Sequence, residues 1–122
     1  MINVGMNAPS AALSAPYGIF QTSKHAQAIM EAAMYEVIAL AQAAGINLTD
    51  QDIEDWYTVL KTLRSDGKTS MLQDVEAGRQ TEVDIFAGKM IELGHHYNIP
   101  TPVNEMLFHA LKVIEQGSAA SA

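Results

Sequence analysis

Two asparagines near the start of the sequence have the type and spacing of residues that could hold a polar ligand. Asn3 and Asn7 lie four positions apart, so on a helix both amides project from one face. Asparagine is a poor helix former, so a pair on one face is one way in which a helix could orient a polar ligand. The alternative is that they bond to nearby backbone groups or face solvent.

A second polar pair lies in the segment SMLQDVEAGRQTEVD, residues 70–84. The segment has too few apolar residues for a plain core helix, yet those residues recur at helical spacing, which a loop would not require. Ser70 and Glu82 stand twelve positions apart on either side of Gly78. The glycine predicts a break between two helices, so each helix carries one of the two polar groups.

Composition limits the classes of protein to which this chain can belong. It has 122 residues, 48% of them hydrophobic, which is enough for one globular domain with its own core. The net charge is -7 with no basic run, which argues against binding to nucleic acid or to an anionic membrane. Without cysteine, disulfides and thiolate chemistry are excluded. We expect a cytoplasmic protein without a signal peptide or membrane span.

Other groups that could do chemistry give weaker signals. His95 and His96 are adjacent, so on a helix they point about 100° apart and cannot readily share a metal. We expect this pair to face solvent near a helix end, and Met30, Met34 and Met90 to fill the core. The glycines form no phosphate-binding motif, so the residues alone predict no metal or nucleotide site.

Helical patterns run through the whole chain and no alternating strand pattern appears, so the predicted fold class is all-α. Each predicted helix after the first twenty residues has a start signal and a stop signal. They are Ser23 to Ala44 before Gly45, Thr49 to a point before Gly67, Ser70 to Ala77 before Gly78, Thr81 to Asn98, and Thr101-Pro102 to Gly117. We assign residues 1–116 to the helical domain and residues 117–122 to a disordered tail.

Most of the chain resembles the helical C-terminal domain of ketopantoate reductases (2-dehydropantoate 2-reductases). The family pattern reads approximately S-S-M-x-Q-D, a helix break, R-x-T-E-[IV]-D and then P-x-N, and TSMLQD, RQTEVD and PVN match it in register. NVGMNAPSAALSAPYG resembles the N-x-x-x-N helix that opens the same domain. The resemblance implies a compact multi-helix domain of the 6-phosphogluconate dehydrogenase C-terminal-like type.

The resemblance also implies roles for the two polar pairs. In the family, the residues that match Asn3, Asn7 and Ser70 contact the substrate, 2-dehydropantoate, and the glutamate that matches Glu82 lies in the cleft beside the cofactor. We therefore predict three substrate-binding residues, and Glu82 as a catalytic and cofactor-contacting residue, with no metal. Neutral donors suit the carboxylate and hydroxyl of a keto acid, and a carboxylate can orient a proton donor.

Two of the family's functional parts have no counterpart in this sequence, and one residue departs from its pattern. The proton-donating lysine of the family would fall before Met1, and the Rossmann domain that binds NADP(H) is not represented. Tyr17 stands where some members carry a substrate-contacting asparagine, which leaves the identity of the 2-keto acid open. Lys68, two residues before Ser70, is a candidate to replace the lost ammonium group.

Two functional hypotheses follow. In the first, the chain is the substrate-binding and dimerisation domain of a ketopantoate reductase-like oxidoreductase of pantothenate biosynthesis. That enzyme reduces 2-dehydropantoate to pantoate with NADPH when the domain is joined to a Rossmann domain. The chain alone then binds no cofactor and is inactive, and its partners are a 2-keto acid, the missing Rossmann domain and a second copy. In the alternative, the chain is a free-standing helical interaction or assembly module without catalysis.

Overall fold

The computed structural model describes residues 4–121, which are helical in seven segments and contain no strand. The prediction of an all-α fold is confirmed. The helices are α1 (Val4–Leu13), α2 (Tyr17–Thr22), α3 (Lys24–Ala43), α4 (Asp50–Leu60), α5 (Ser70–Glu76), α6 (Val83–Tyr97) and α7 (Pro102–Ser121).

Side-chain caps begin three of these helices. The Ser23 hydroxyl accepts the Ala26 N–H at the start of α3, as predicted. Thr49 begins α4, also as predicted, and forms a capping box with Asp52 there. At the start of α5, the hydroxyl of Thr69 accepts the N–H of Leu72 at 3.1 Å. Local sequence thus sets where each of these helices begins.

The start of α7 is capped by a side chain from a different helix. The Glu36 carboxylate of α3 accepts the N–H groups of Val103 at 2.8 Å and Asn104 at 2.9 Å, in the first turn of α7. The buried Asn104 amide also donates to Glu36 at 2.7 Å and to the Ala33 carbonyl at 3.3 Å. A carboxylate at a helix N-terminus is favoured by the helix dipole, so this contact fixes α7 against α3.

Four helices end in a Schellman-type turn with one residue in the left-handed conformation. These residues are Ser14 after α1, Gly45 after α3, Gly78 after α5 and Asn98 after α6, with φ values of 52°, 81°, 70° and 57°. In each turn, the next residue donates its N–H to the carbonyl five positions earlier, at 2.8–2.9 Å. The stops predicted at the two glycines and at the asparagine are confirmed.

Two predicted helix boundaries were wrong, one at the end of α4 and one at the start of α6. α4 ends at Leu60 instead of continuing toward Gly67, and the Gln21 side chain of α2 donates to the carbonyls of Leu60 and Leu63, both at 2.9 Å. α6 begins at Val83 with Glu82 as its N-cap residue, one position later than predicted.

The C-terminal boundary and one short helix also differ from the predictions. α7 continues past Gly117 to Ser121, because this glycine does not adopt the left-handed conformation that ends α3 and α5. The division of the chain at residue 117 into a domain and a disordered tail stays a prediction. The short helix α2 was not predicted, since six residues after Pro16 give too brief a periodic signal.

α1 is the helix against which most of the others pack. It contacts α3, α5, α6 and α7, and its residues from Gly5 to Ala11 are buried except for the half-buried Asn7. Small residues make this possible: a Cβ added to Gly5 would lie 2.5 Å from the Cγ of Met34 on α3. α1 can therefore pack this closely against α3 only because residue 5 is a glycine.

The core divides into clusters on either side of α1 and α3. One is formed mainly by α2, α3 and α4 and includes Met30, Met34 and Trp56, whose indole N–H points to the Met30 sulfur at 3.3 Å. The other, which we call the C-terminal cluster, consists of Ala8, Ala11, Ala33, Met71, Val83, Ala87, Leu107 and Leu111. Met90 is buried in a smaller cluster with Val37 and Leu40, so the predicted burial of the three methionines is confirmed.

Thr81 and Glu115 hold the start of α6 against α7. The backbone N–H of Thr81 donates to the Glu115 carboxylate at 2.9 Å, and its hydroxyl donates to the same oxygen. Lys112 lies 3.3 Å from the other carboxylate oxygen. Burial alone would raise the pKa of Glu115, but the hydrogen bonds from Thr81 and the charge of Lys112 outweigh it and hold the pKa below its usual value.

Replacing Ser14 with glycine should stabilise the protein. A non-glycine residue in the left-handed region costs about 1 kcal/mol, so Ser14→Gly should raise the free energy of unfolding by roughly 0.5–1 kcal/mol in urea titrations. Gly78→Ala is the reverse change, because its Cβ would meet nothing within 4 Å and only the backbone conformation opposes it. We expect Gly78→Ala to lower the free energy of unfolding by about 1 kcal/mol. Equal stability of the wild type and both variants would show that the left-handed conformation does not set these free energies.

Replacing Glu115 with glutamine should destabilise the protein in a pH-dependent way. The folded-state pKa of Glu115 lies below its unfolded value near 4.5, so the ionised carboxylate stabilises the fold above that pH. Glu115→Gln should lower the free energy of unfolding by about 1 kcal/mol near neutral pH. The difference from the wild type should shrink as the pH falls through the folded-state pKa.

The check for Glu115 is a series of urea titrations at several pH values. The exposed Glu92 on α6 provides a matched control, because Glu92→Gln removes one carboxylate and should change stability by less than about 0.5 kcal/mol at every pH. If the difference in unfolding free energy between Glu115→Gln and wild type widened as the pH fell, the ionised Glu115 carboxylate would not be the stabilising form.

Candidate functional site

The structure places three of the four predicted site residues next to members of one core cluster. Asn7 precedes Ala8, Ser70 precedes Met71 and Glu82 precedes Val83, and the second residue of each pair belongs to the C-terminal cluster. Asn7 is half-buried, whereas Ser70 and Glu82 are exposed. The fourth residue, Asn3, lies outside the described residues. That all four line one concave region stays a prediction.

Asn7 and Ser70 lie on helices that touch close to both residues. α1 packs against α5, and the buried hydroxyl of Thr69 donates to the buried hydroxyl of Ser10 at 3.1 Å. Asn7 is one helical turn before Ser10, and Ser70 directly follows Thr69. The contact between the two buried hydroxyls therefore lies one turn from Asn7 and one residue from Ser70.

Glu82 is held at the N-terminus of α6 through its two chain neighbours. Thr81 is bound to Glu115 of α7, and Val83 is completely buried. The Glu82 side chain itself makes no capping hydrogen bond. Its backbone is thus fixed, while its carboxylate is exposed at the end of the helix where a negative charge is favoured.

The connection that leads into Ser70 is fixed to the start of α2. Tyr17 and Gly18 donate their N–H groups to the carbonyls of Gly67 and Ser65, both at 2.9 Å. A Cβ on Gly18 would lie 2.8 Å from the Ser65 carbonyl oxygen, and a Cβ on Gly67 would lie 3.1 Å from the Tyr17 ring. At Gly18 a side chain would force the two segments apart, and at Gly67 it would require the Tyr17 ring to shift.

The lysine considered as a substitute acid is engaged elsewhere. Lys68 Nζ forms an exposed ion pair with Glu76 Oε1 at 2.8 Å, across the short helix α5. Tyr17, the residue that departs from the family pattern, is half-buried, and its side chain packs on the cluster of α2, α3 and α4.

A groove of about 370 Å³ lies at another part of the surface, between the end of α1, α2 and the start of α3. Its walls are mainly apolar, and two of the lining residues, Leu13 and Ile19, are exposed by 46% and 44%. Asn7, Ser70 and Glu82, the predicted site residues that the structure describes, do not line this groove.

Residues 4–121 contain no group of three or more His, Asp or Glu side chains that could hold a metal ion. His95 and His96 are exposed in the last turn of α6, as expected. The described part of the chain also has no helix long and apolar enough to cross a bilayer.

Sequence reasoning did not identify Ser10 and Thr69 as part of the site region. Thr69 could have been found as the cap of α5, because a threonine directly before a helical segment is a common start signal. Ser10 lies in a run of alanines and carries no signal of its own.

Comparison with known proteins gives a consistent result. The sequence matches the family model described as "Ketopantoate reductase PanE/ApbA C terminal" over residues 1–115. It is 32% identical over 116 residues to the 2-dehydropantoate 2-reductase of Pyrobaculum aerophilum, covering 93% of this chain and 40% of that protein. It is 35% identical over 89 residues to the Vibrio cholerae protein of the same name, covering 72% of this chain and 30% of that one.

Solved structures show the same relationship. The PanE/ApbA family ketopantoate reductase from Ralstonia eutropha superposes with a TM-score of 0.85 at 29% identity, covering 97% of this chain and 39% of that one. A D-mandelate dehydrogenase solved with NADH and anilino(oxo)acetate has the same fold, with a TM-score of 0.86 at 21% identity, covering 97% of this chain and 66% of that one. This chain spans about 40% of the length of its first relatives. It belongs to the ketopantoate reductase family and corresponds to that family's C-terminal helical domain.

Proposed function

We propose that this chain is the substrate-binding and dimerisation domain of an NADPH-dependent, ketopantoate reductase-like oxidoreductase. The observation that carries the proposal is the position of Asn7, Ser70 and Glu82, each directly before a buried member of the C-terminal cluster. Three separate helices thus bring polar residues to the borders of one packed centre. The family match supplies the substrate class, a 2-keto acid such as 2-dehydropantoate.

The chemistry of these side chains suits such a substrate. Asn7 is half-buried, Ser70 and Glu82 are exposed, and the Glu82 side chain makes no capping hydrogen bond. The polar groups of these side chains can therefore meet a ligand. The asparagine amides, including that of Asn3, and the Ser70 hydroxyl would hold the carboxylate and hydroxyl of the keto acid. The Glu82 carboxylate would lie beside the cofactor and orient the proton donor. NADPH, held by a Rossmann domain, would supply the hydride.

A second copy of the chain is the other partner that we propose. A ketopantoate reductase from Staphylococcus aureus is described as dimeric and has the same fold, with a TM-score of 0.86 at 20% identity. On α7 of this chain, Met106 and Val113 lie seven positions apart and therefore on one face, exposed by 60% and 65%. Apolar side chains this exposed are a natural surface for self-association.

The catalytic part of the proposal predicts that the chain is incomplete as an enzyme. Purified alone, it should bind 2-dehydropantoate weakly, should not bind NADPH in a fluorescence titration, and should give no turnover in an absorbance assay. Turnover should appear when this chain replaces the C-terminal portion of the Pyrobaculum aerophilum relative in a chimera, because the nicotinamide is then held against the substrate.

In that chimera, Glu82→Ala should lower turnover by about a hundredfold, the scale of acid–base catalysis. Glu92→Ala changes an exposed glutamate on the same helix and should leave turnover unchanged. Turnover by the isolated chain would overturn the proposal, and Lys68→Ala would then show whether that lysine has become the acid.

The partner part of the proposal predicts a concentration-dependent dimer in sedimentation experiments. Met106→Glu combined with Val113→Glu should shift the chain to monomer, because two charges would be buried without partners in the contact. Val59→Glu on α4 changes a valine that is 49% exposed and should leave the dimer intact. A wild-type chain that stays monomeric at high concentration would count against dimerisation through this domain.

A further inference from the structure

Two buried hydroxyls join α1 to α5 in a continuous chain of hydrogen bonds. The Thr69 hydroxyl donates to Ser10 Oγ at 3.1 Å, and the Ser10 hydroxyl donates to the Ala15 carbonyl at 2.7 Å. Thr69 Oγ1 also accepts the Leu72 N–H at 3.1 Å. Ser10 and Thr69 are 0% and 3% exposed, so each hydroxyl is withdrawn from water and fully used inside the protein.

Helix capping alone does not explain why Thr69 is buried and bonded to another helix. The Ser23 and Thr49 hydroxyls cap α3 and α4 from half-buried and exposed positions, and their hydrogen bonds are made within their own helices. Thr69 performs the same capping task but is buried and bonded to a residue 59 positions away. A buried hydroxyl without a hydrogen-bond partner costs free energy. The bond from Thr69 to Ser10 avoids this cost and also links α5 to α1 in a fixed direction.

We propose that Thr69 is a positioning residue that sets the direction of the Ser70 hydroxyl relative to α1. Its oxygen is held at once by the Leu72 N–H of its own helix and by Ser10 of α1, so α5 cannot rotate about its axis without breaking one of these bonds. The inference rests on the proposed function, because the direction of Ser70 matters only if its hydroxyl binds the substrate.

The chain on the other side of Thr69 is fixed as well. Gly67, two residues earlier, accepts the Tyr17 N–H, and the Ser65 carbonyl accepts the Gly18 N–H. The backbone that leads into Ser70 is thus held by α2, while the first turn of α5 is held by α1 through Thr69. A hydroxyl that must meet a ligand to within about 0.5 Å needs this kind of support.

The test is a titration of the isotope-labelled 122-residue chain with 2-dehydropantoate, monitored by backbone amide NMR. Thr69→Val keeps the shape of the side chain and removes both hydrogen bonds, and it should weaken binding about tenfold. Thr69→Ser restores the hydroxyl and should bind within about twofold of wild type. Ser70→Ala should weaken binding on its own, and Thr69→Val combined with Ser70→Ala should be no weaker than Ser70→Ala.

A matched control separates positioning from stability. Thr49→Val removes a threonine cap from α4 and should lower the free energy of unfolding as a lost cap does, with the dissociation constant unchanged. Losses that add in the double variant would show that Thr69 does not act through Ser70, which overturns this inference and leaves the proposed function standing. A wild-type chain without binding, or with binding unaffected by Ser70→Ala, would overturn both.

Discussion

The close packing of α1 against α3 is the contact on which the rest of the structure depends. Gly5 leaves no room for a side chain beside Met34, so the two helices approach as nearly as their backbones allow. Since α1 also contacts α5, α6 and α7, any change in its depth would be passed to all three. The proposed substrate-binding wall is assembled on these same helices. Core packing around α1 therefore fixes the geometry of this wall more than surface contacts do.

Asn7, Ser70 and Glu82 of the proposed site are each held by the residue that follows them in the chain. Ala8, Met71 and Val83 are buried in one cluster, and burial fixes the path of the backbone on either side of them. A polar side chain next to such an anchor can stay exposed to a ligand and still be well placed. Apolar packing thus provides the position, and the neighbouring residue provides the chemistry.

Sequence reasoning succeeded where the cause of a feature is local and failed where it is distant. The left-handed turns at Gly45 and Gly78 could be predicted, because a glycine directly after a run of apolar residues at helical spacing is enough to predict the end of a helix. The end of α4 could not be predicted, since Gln21 on another helix donates to the carbonyl of its last residue, Leu60. Residue type and spacing singled out the two polar pairs, but the roles of these residues were predicted from the family resemblance. The link between Thr69 and Ser10 needs the knowledge that α5 lies beside α1, which no local pattern contains.

The capping of α7 by Glu36 has a consequence for how the protein is made. The two partners are 67 and 68 positions apart, so during synthesis on the ribosome the carboxylate emerges long before the amides that it will bind. Until the last helix leaves the exit tunnel, Glu36 remains solvated and the apolar side of α1 lacks its cover of Leu107 and Leu111. The contact between Glu36 and α7 therefore forms only after α7 has been made, and forming it closes a long loop.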